Sequence, residues 1–242
     1  MDPAEPRPGD AFGTSLQDQL GGGGSAVVIE RDDGFVDADG SDYLGDVQHD
    51  PLWQWMRPRL GNRVLDLGAG AGRGALRLQS EEVDVVALDV SPGCIDVCRR
   101  RGVRDVFLGT IHELAAAHPK PFDSVLALGN NLGLVGSPET AKVFFDAARA
   151  LGTKDVRIVG TMLNPYLTDN ATHLDYHAQN RGAGRLSGHV TIRVRYRNKA
   201  TPWFSLLWAS EAELADLAAN HGWEMVDTKA AGIVYAAELR PA

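Results

Sequence analysis

The sequence predicts a single-domain α/β fold: a mostly parallel, seven-stranded sheet closed by an antiparallel C-terminal hairpin. Three observations carry that expectation. Five short apolar runs recur between residues 63 and 161, separated by segments of helical period. Those runs are apolar at nearly every position instead of alternate ones, as in strands covered on both faces. The end of the chain reads as one helix followed by two further strand-like runs that face each other across a short turn. At 242 residues and 44% hydrophobic content, the chain can bury one substantial core.

Residues 1–25 are rich in Pro, Gly and Asp and end in GGGG (Gly21–Gly24), so they are expected to be a flexible N-terminus ahead of a domain over 26–242. The strands expected within it are RVLDL (Arg63–Leu67), VDVVALD (Val83–Asp89), VRDVFL (Val103–Leu108), DSVLAL (Asp123–Leu128) and VRIVGT (Val156–Thr161). Helices are expected between them over Ala71–Gln79, Pro92–Arg101 and Glu139–Leu151. Ser91 is placed as an N-cap, with Pro92 at the first helical position. After Thr161 the rhythm breaks, so residues 162–209 form an insertion after the fifth strand, with one strand-like run, HVTIRVRYR (His189–Arg197). Ser210 and Glu213 then make a capping-box pattern for a helix to about His221. WEMVDT (Trp223–Thr228) and IVYAAEL (Ile233–Leu239) supply the closing hairpin.

Charge and cysteine usage narrow the function classes. The formal net charge is -8, from 32 acidic and 24 basic residues, which argues against a nucleic-acid binder. Cys94 and Cys98, at i and i+4 of an expected helix, read as buried thiols and not as a disulfide. The first residues lack an apolar signal core and no run of 18 apolar residues occurs, so a soluble, cytoplasmic protein without membrane partners is expected.

The chemistry is concentrated in VLDLGAGAGRG (Val64–Gly74). Glycines at the end of a first strand let the backbone turn tightly and approach a ligand, while the next helix offers free N–H groups. A dinucleotide fingerprint, G-x-G-x-x-G, would require glycine where Arg73 stands, so a nicotinamide dehydrogenase ranks last. Asp66, just before the first glycine, suits an ammonium better than a pyrophosphate. Asp66, Gly68, Gly70 and Gly72 resemble the D-x-G-x-G-x-G motif of class I S-adenosylmethionine-dependent methyltransferases, and VVALDVS ends the second strand in Asp89, where that family binds both ribose hydroxyls. PFDSVLALGNNLG continues the resemblance, which runs from about Arg63 to Thr161.

The resemblance implies a Rossmann-like methyltransferase fold with S-adenosyl-L-methionine as cofactor and S-adenosyl-L-homocysteine as product. It implies a cofactor site of Asp66, Gly68, Ala69, Gly70, Gly72, Asp89, Val90, Ile111, Gly129 and Asn130, with Tyr43 as an N-terminal aromatic over the cofactor. Thr110 stands where many relatives carry an acid for the adenine amino group, so Thr110 or a backbone carbonyl is expected to substitute. It also makes the 162–209 insertion a substrate lid.

A sulfonium methyl is already activated, so the protein mainly aligns and desolvates the reactants, and a base is needed chiefly for a hydroxyl or carbon acceptor. The candidates for such work are Asn131, Tyr166, His173 and His177, with the two histidines at i, i+4 in the insertion. No carboxylate cluster ends the fourth strand and no HExxH occurs, so no metal is expected. Arg193, Arg195 and Arg197 lie on one strand face in a stretch without acids. An anionic substrate, RNA docking, an oligomer contact or a solvated face would each explain them. The leading expectation is methyl transfer to nitrogen or oxygen of a small molecule, such as a specialised metabolite or nucleoside-like acceptor. The alternatives are an RNA or protein methyltransferase docked by the arginine strand, and a non-catalytic cofactor-binding module.

Overall fold

The computed structural model describes residues 6–117 and 119–242. In chain order the strands and helices are β1 (Arg7–Pro8), α1 (Ala11–Leu20), β2 (Val28–Arg31), β3 (Val36–Ala38), α2 (Pro51–Met56), β4 (Arg63–Leu67), α3 (Arg73–Ser80), β5 (Asp84–Asp89), α4 (Pro92–Arg101), β6 (Asp105–Leu108), α5 (Ile111–Ala116), β7 (Phe122–Ala127), α6 (Pro138–Leu151), β8 (Gly152–Leu163), α7 (Ala171–Gly182), β9 (His189–Tyr196), β10 (Lys199–Ala200), β11 (Phe204–Leu207), α8 (Glu211–Ala219), β12 (Trp223–Ala231) and β13 (Val234–Pro241).

Seven strands form the main sheet in the order β12-β13-β8-β7-β4-β5-β6. β4, β5, β6, β7 and β8 run parallel, and β13 joins β8 antiparallel with β12 outside it. This is the α/β architecture the sequence predicts. Both faces are covered because neighbouring residues of one strand feed opposite layers: Leu65 and Val125 pack with α6 and α8, whereas Val64 and Leu126 pack with α2 and α3. The order reverses beside β4, between β7 on one side and β5 on the other, and such a switch opens a crevice at the carboxyl ends of the strands.

The capping signals hold. Ser91 Oγ accepts from Cys94 N at 3.0 Å at the start of α4, and Ser210 and Glu213 complete a reciprocal box at the start of α8. Cys94 and Cys98 are free and buried.

The N-terminal expectation is corrected within the described residues; residues 1–5 lie outside them. Ala11–Leu20 is a helix, because Asp10 caps it by accepting from Gly13 N at 2.9 Å and because Ala11 and Leu16 bury completely. Composition misled here: Pro8, Gly9 and Gly21 flank the helix, and Gly13 sits inside it without interrupting it. The insertion is also not a self-contained lid. β9 pairs with β2, which belongs to the N-terminal segment, and a second sheet of six strands runs β1-β10-β9-β2-β3 with β11 on β9. Its inner face carries Val190, Ile192, Val194 and Tyr196, buried at alternate positions of β9.

Candidate active site

The second sheet roofs the carboxyl ends of the main sheet and encloses a cleft of about 1560 Å³. The floor is the turn from β4 into α3. Gly68 has φ +68°, and a Cβ there would lie 2.5 Å from Asn131 Nδ2, so only glycine lets the loop pass under that side chain. Gly72, at φ +74°, answers a different need: its missing Cβ makes room for Val103 and Cys98. Gly72 itself does not line the cleft, although its neighbours Ala71 and Arg73 do.

Two carboxylates frame the loop. Asp89, at the end of β5, accepts from Gly70 N through Oδ2 and from Ser91 N through Oδ1, each at 2.9 Å. A carboxylate has about four acceptor positions, so both oxygens keep capacity for a ligand's hydroxyls. Burial pushes its pKa above the usual carboxylate range. Asp66 accepts from Ala75 N at 2.9 Å, and complete burial pushes it up to about 7. The backbone N–H of Ala75 and the charge of Arg73 oppose that rise without cancelling it.

Around this floor the cleft is lined by Tyr43, Ala69, Val90, Thr110, Ile111, Gly129, Asn130 and Asn131. Val90 is 66% exposed, an apolar surface in want of a partner. The carbonyl oxygen Oδ1 of Asn130 is buried with no hydrogen-bond partner among the described residues, while its backbone N donates to Thr161 Oγ1. Thr110 is occupied as the cap of α5, bonded both ways with Glu113. Tyr43 donates to Asp39 Oδ2 at 2.5 Å and meets the edge of Phe12 with ring centres 4.9 Å apart. Asn131 donates Nδ2 to Leu67 O at 3.0 Å and Gly68 O at 2.9 Å. The Nδ2 end of the Asn131 amide is thus spent on the loop backbone, which gives the residue a positioning role there.

The other catalytic candidates divide. His177 is buried at the cleft wall, and burial together with His173, Arg31 and Arg181 depresses its pKa below the imidazole range. His173 also lines the cleft, packs edge-on against Phe35 and is likewise depressed, by burial and Arg31. Tyr166 does not line it. Tyr166 points outward and donates to Glu213 Oε1 at 2.5 Å, which corrects its catalytic assignment. Turn residues after β8 reverse direction, so one side chain of the expected cluster faces away.

The arginine strand has its own carboxylates. Arg193 and Arg195 both bond Glu30 of β2, at 2.8 and 3.2 Å, and Arg197 turns away in a left-handed conformation (φ 51°) to pair with Asp18. Sequence distance concealed those partners. Sequence also missed the roof: Phe12, Ile29, Phe204 and Leu206 line the cleft. Asp10 before AFGTSLQDQL was a legible cap signal for α1, whereas nothing local announces the β2–β9 pairing.

Residues 64–154 match the family model described as a methyltransferase domain. A demethylmenaquinone methyltransferase of Clavibacter sepedonicus is 33% identical over 118 residues, covering 47% of this chain and 48% of its own, so the match spans about half the length of that relative. The crystal structure of a SAM-dependent methyltransferase from Bacteroides fragilis, in complex with S-adenosyl-L-homocysteine, aligns over 96% of this chain and 95% of its own with TM-score 0.80 at 24% identity. A 1,6-didemethyltoxoflavin-N1-methyltransferase of Burkholderia thailandensis covers 80% and 77% with TM-score 0.53 at 19% identity. Both structural likenesses show the shared fold. Residues 64–154, which hold the Asp66–Gly72 loop facing Asp89, thus match a methyltransferase domain, and the chain as a whole shares the fold of S-adenosylmethionine-dependent methyltransferases of known structure.

Proposed function

We propose that the protein transfers a methyl group from S-adenosylmethionine to nitrogen or oxygen of a small molecule. The observation that carries this reading is the Asp89 carboxylate, held by Gly70 N and Ser91 N at the mouth of the glycine loop. The site fits the cofactor on two counts: the unpaired Asn130 oxygen and the acceptor capacity remaining on Asp89.

Asp89 would hold the ribose hydroxyls and Val90 would cover the adenine. Asp66 would sit beside the ammonium-bearing end, where a cation would lower its raised pKa. Bound S-adenosylmethionine supplies an electrophilic methyl group open to in-line displacement. The chain's own contribution is to align the acceptor and exclude water, which the second sheet does as a roof. The domain so formed spans 26–242, with α1 packed against it and the 162–209 segment helping to roof the acceptor.

The test is incubation of purified protein with methyl-labelled S-adenosylmethionine and an extract of the source cells, followed by separation of small molecules from polymer. Label in the small-molecule fraction supports the reading. Label on RNA or protein, or none transferred, overturns it.

A further inference from the structure

The inner face of the second sheet is apolar along its length, but helices cover only its ends. At one end Ala11 and Phe12 of α1 pack on Val194 and Tyr196. At the other, Tyr176 of α7 packs on Val190 and Ile192. Between these end walls Ile29, Ile192, Phe204 and Leu206 face the cleft, and all but Ile192 keep part of their surface accessible. The apolar surface continues outward along the cleft, where Leu134, Leu167 and Ile233 are 39%, 54% and 50% exposed. Contiguous exposed apolar surface around a cleft marks a binding site.

The charges in this chamber decide what kind of molecule suits it. Two arginines line the cleft, and of these only Arg31 is paired with a carboxylate among the described residues. Arg31, 4% exposed, bonds Asp33 through two nitrogens at 2.8 and 2.7 Å and lies over the rings of Tyr176 and Phe35. Arg73 donates to Asp42 O at 3.0 Å. His173 and His177 face the chamber from α7, and burial, aided by the adjacent Arg31, favours their uncharged forms. Asp37 and Asp169 stand exposed at its edge. Arg73 places its charge at the glycine loop beside Asp66, but an anion brought under the roof at the Arg31 end would lose water without gaining a free counter-charge, an unfavourable exchange.

We propose that this chamber takes an uncharged, largely apolar acceptor that presents a hydroxyl group to the His177 imidazole. The proposal rests on the methyltransferase reading and specifies its acceptor. A neutral imidazole nitrogen accepts a hydrogen bond from a hydroxyl, and no carboxylate group on the acceptor is needed to hold it in place.

The test is calorimetric titration of the full chain with 2-naphthol, 2-naphthoate and 2-methylnaphthalene, with S-adenosylhomocysteine titrated in parallel. 2-Naphthol is expected to bind at least about tenfold more tightly than 2-naphthoate. In His177→Leu the advantage of 2-naphthol over 2-methylnaphthalene is expected to fall by about three- to tenfold, with 2-methylnaphthalene binding retained. Equal or tighter binding of 2-naphthoate, or no binding of 2-naphthol, overturns the proposal, as does an unchanged 2-naphthol advantage in His177→Leu. Any of these three results with S-adenosylhomocysteine binding intact rejects the acceptor class alone. Loss of S-adenosylhomocysteine binding with intact 2-naphthol binding rejects the methyltransferase reading instead.

Discussion

Ser91 Oγ meets both carboxylate oxygens of Asp10 at 2.8 Å, joining two residues that are 81 positions apart in the chain. Ser91 also caps α4, and its backbone N donates to Asp89 at 2.9 Å, so the N-terminal helix is tied to the carboxylate that anchors the proposed cofactor. Gly93 N completes the tie by donating to Asp10 Oδ2 at 2.8 Å. Asp10→Ala removes the cap of α1 and this link together. A loss of about 1–2 kcal/mol is expected. Hydrogen exchange should show residues 11–20 opening before the main sheet, and unchanged protection there would refute the tie.

Gly68→Ala introduces a Cβ at φ +68° and 2.5 Å from Asn131 Nδ2. The left-handed backbone alone costs about 1–2 kcal/mol. Displacing Asn131 also releases Leu67 O and Gly68 O. S-adenosylhomocysteine affinity should fall at least about tenfold. Gly102→Ala is the control, with φ +95° and nothing within 4 Å, so it should destabilise the chain and leave affinity unchanged.

Asp66 predicts an opposition between stability and binding. Its folded pKa, about 7, lies above the unfolded value of 3.8, so its stabilising contribution is full below pH 3.8 and is lost as pH rises through 7. Asp66→Asn should therefore raise the unfolding free energy of the ligand-free protein at pH 8, by an amount on the order of 1–4 kcal/mol, and change little at pH 4. The same variant should bind S-adenosylhomocysteine more weakly at pH 8. Equal stability of the two proteins at pH 8 would contradict the burial argument.

The histidines act in the other direction. His173, His177 and His189 are all held below the ordinary imidazole value of 6.5 by burial. Their contribution is present above pH 6.5 and is lost as pH falls through the folded values. Imidazole titrations followed by NMR should show all three midpoints below 6.5. A His177 midpoint above 6.5 would remove the neutral acceptor from the cleft wall.

Arg193 and Arg195 are satisfied by Glu30 across β2 and β9, so nucleic-acid binding should be nearly indifferent to salt. Raising salt from about 50 to about 200 mM would cost a phosphate-docking protein some thousandfold in affinity. Here a change within about threefold is expected for whatever weak binding a mixed-sequence oligoribonucleotide shows. A steep loss would restore the arginine strand as a docking surface.

The main sheet was legible because its evidence is local. Runs such as VLDL and VVALD announce doubly covered strands, and Ser91 and Ser210 announce helix starts. Asp66 and Asp89 were legible for the same reason, since each ends a strand beside the glycine turn. The roof was not, because Ile29 and Val194 meet only when segments 165 residues apart pair. No periodicity within either segment specifies that partner. Tyr166 and Asn131 were named for their chemistry, but orientation decided their roles, and the contacts that set it, with Glu213 and Leu67, are equally remote in sequence.

The most direct test of the account is calorimetric titration of S-adenosylhomocysteine into the ligand-free protein and into Asp89→Ala, with the fold of the variant checked by circular dichroism. Saturable binding to the parent chain that weakens at least about tenfold in the folded variant is the predicted result, since two hydrogen bonds to a charged acceptor are lost. Equal affinity in the two proteins would place the ligand elsewhere and contradict the assignment of this cleft.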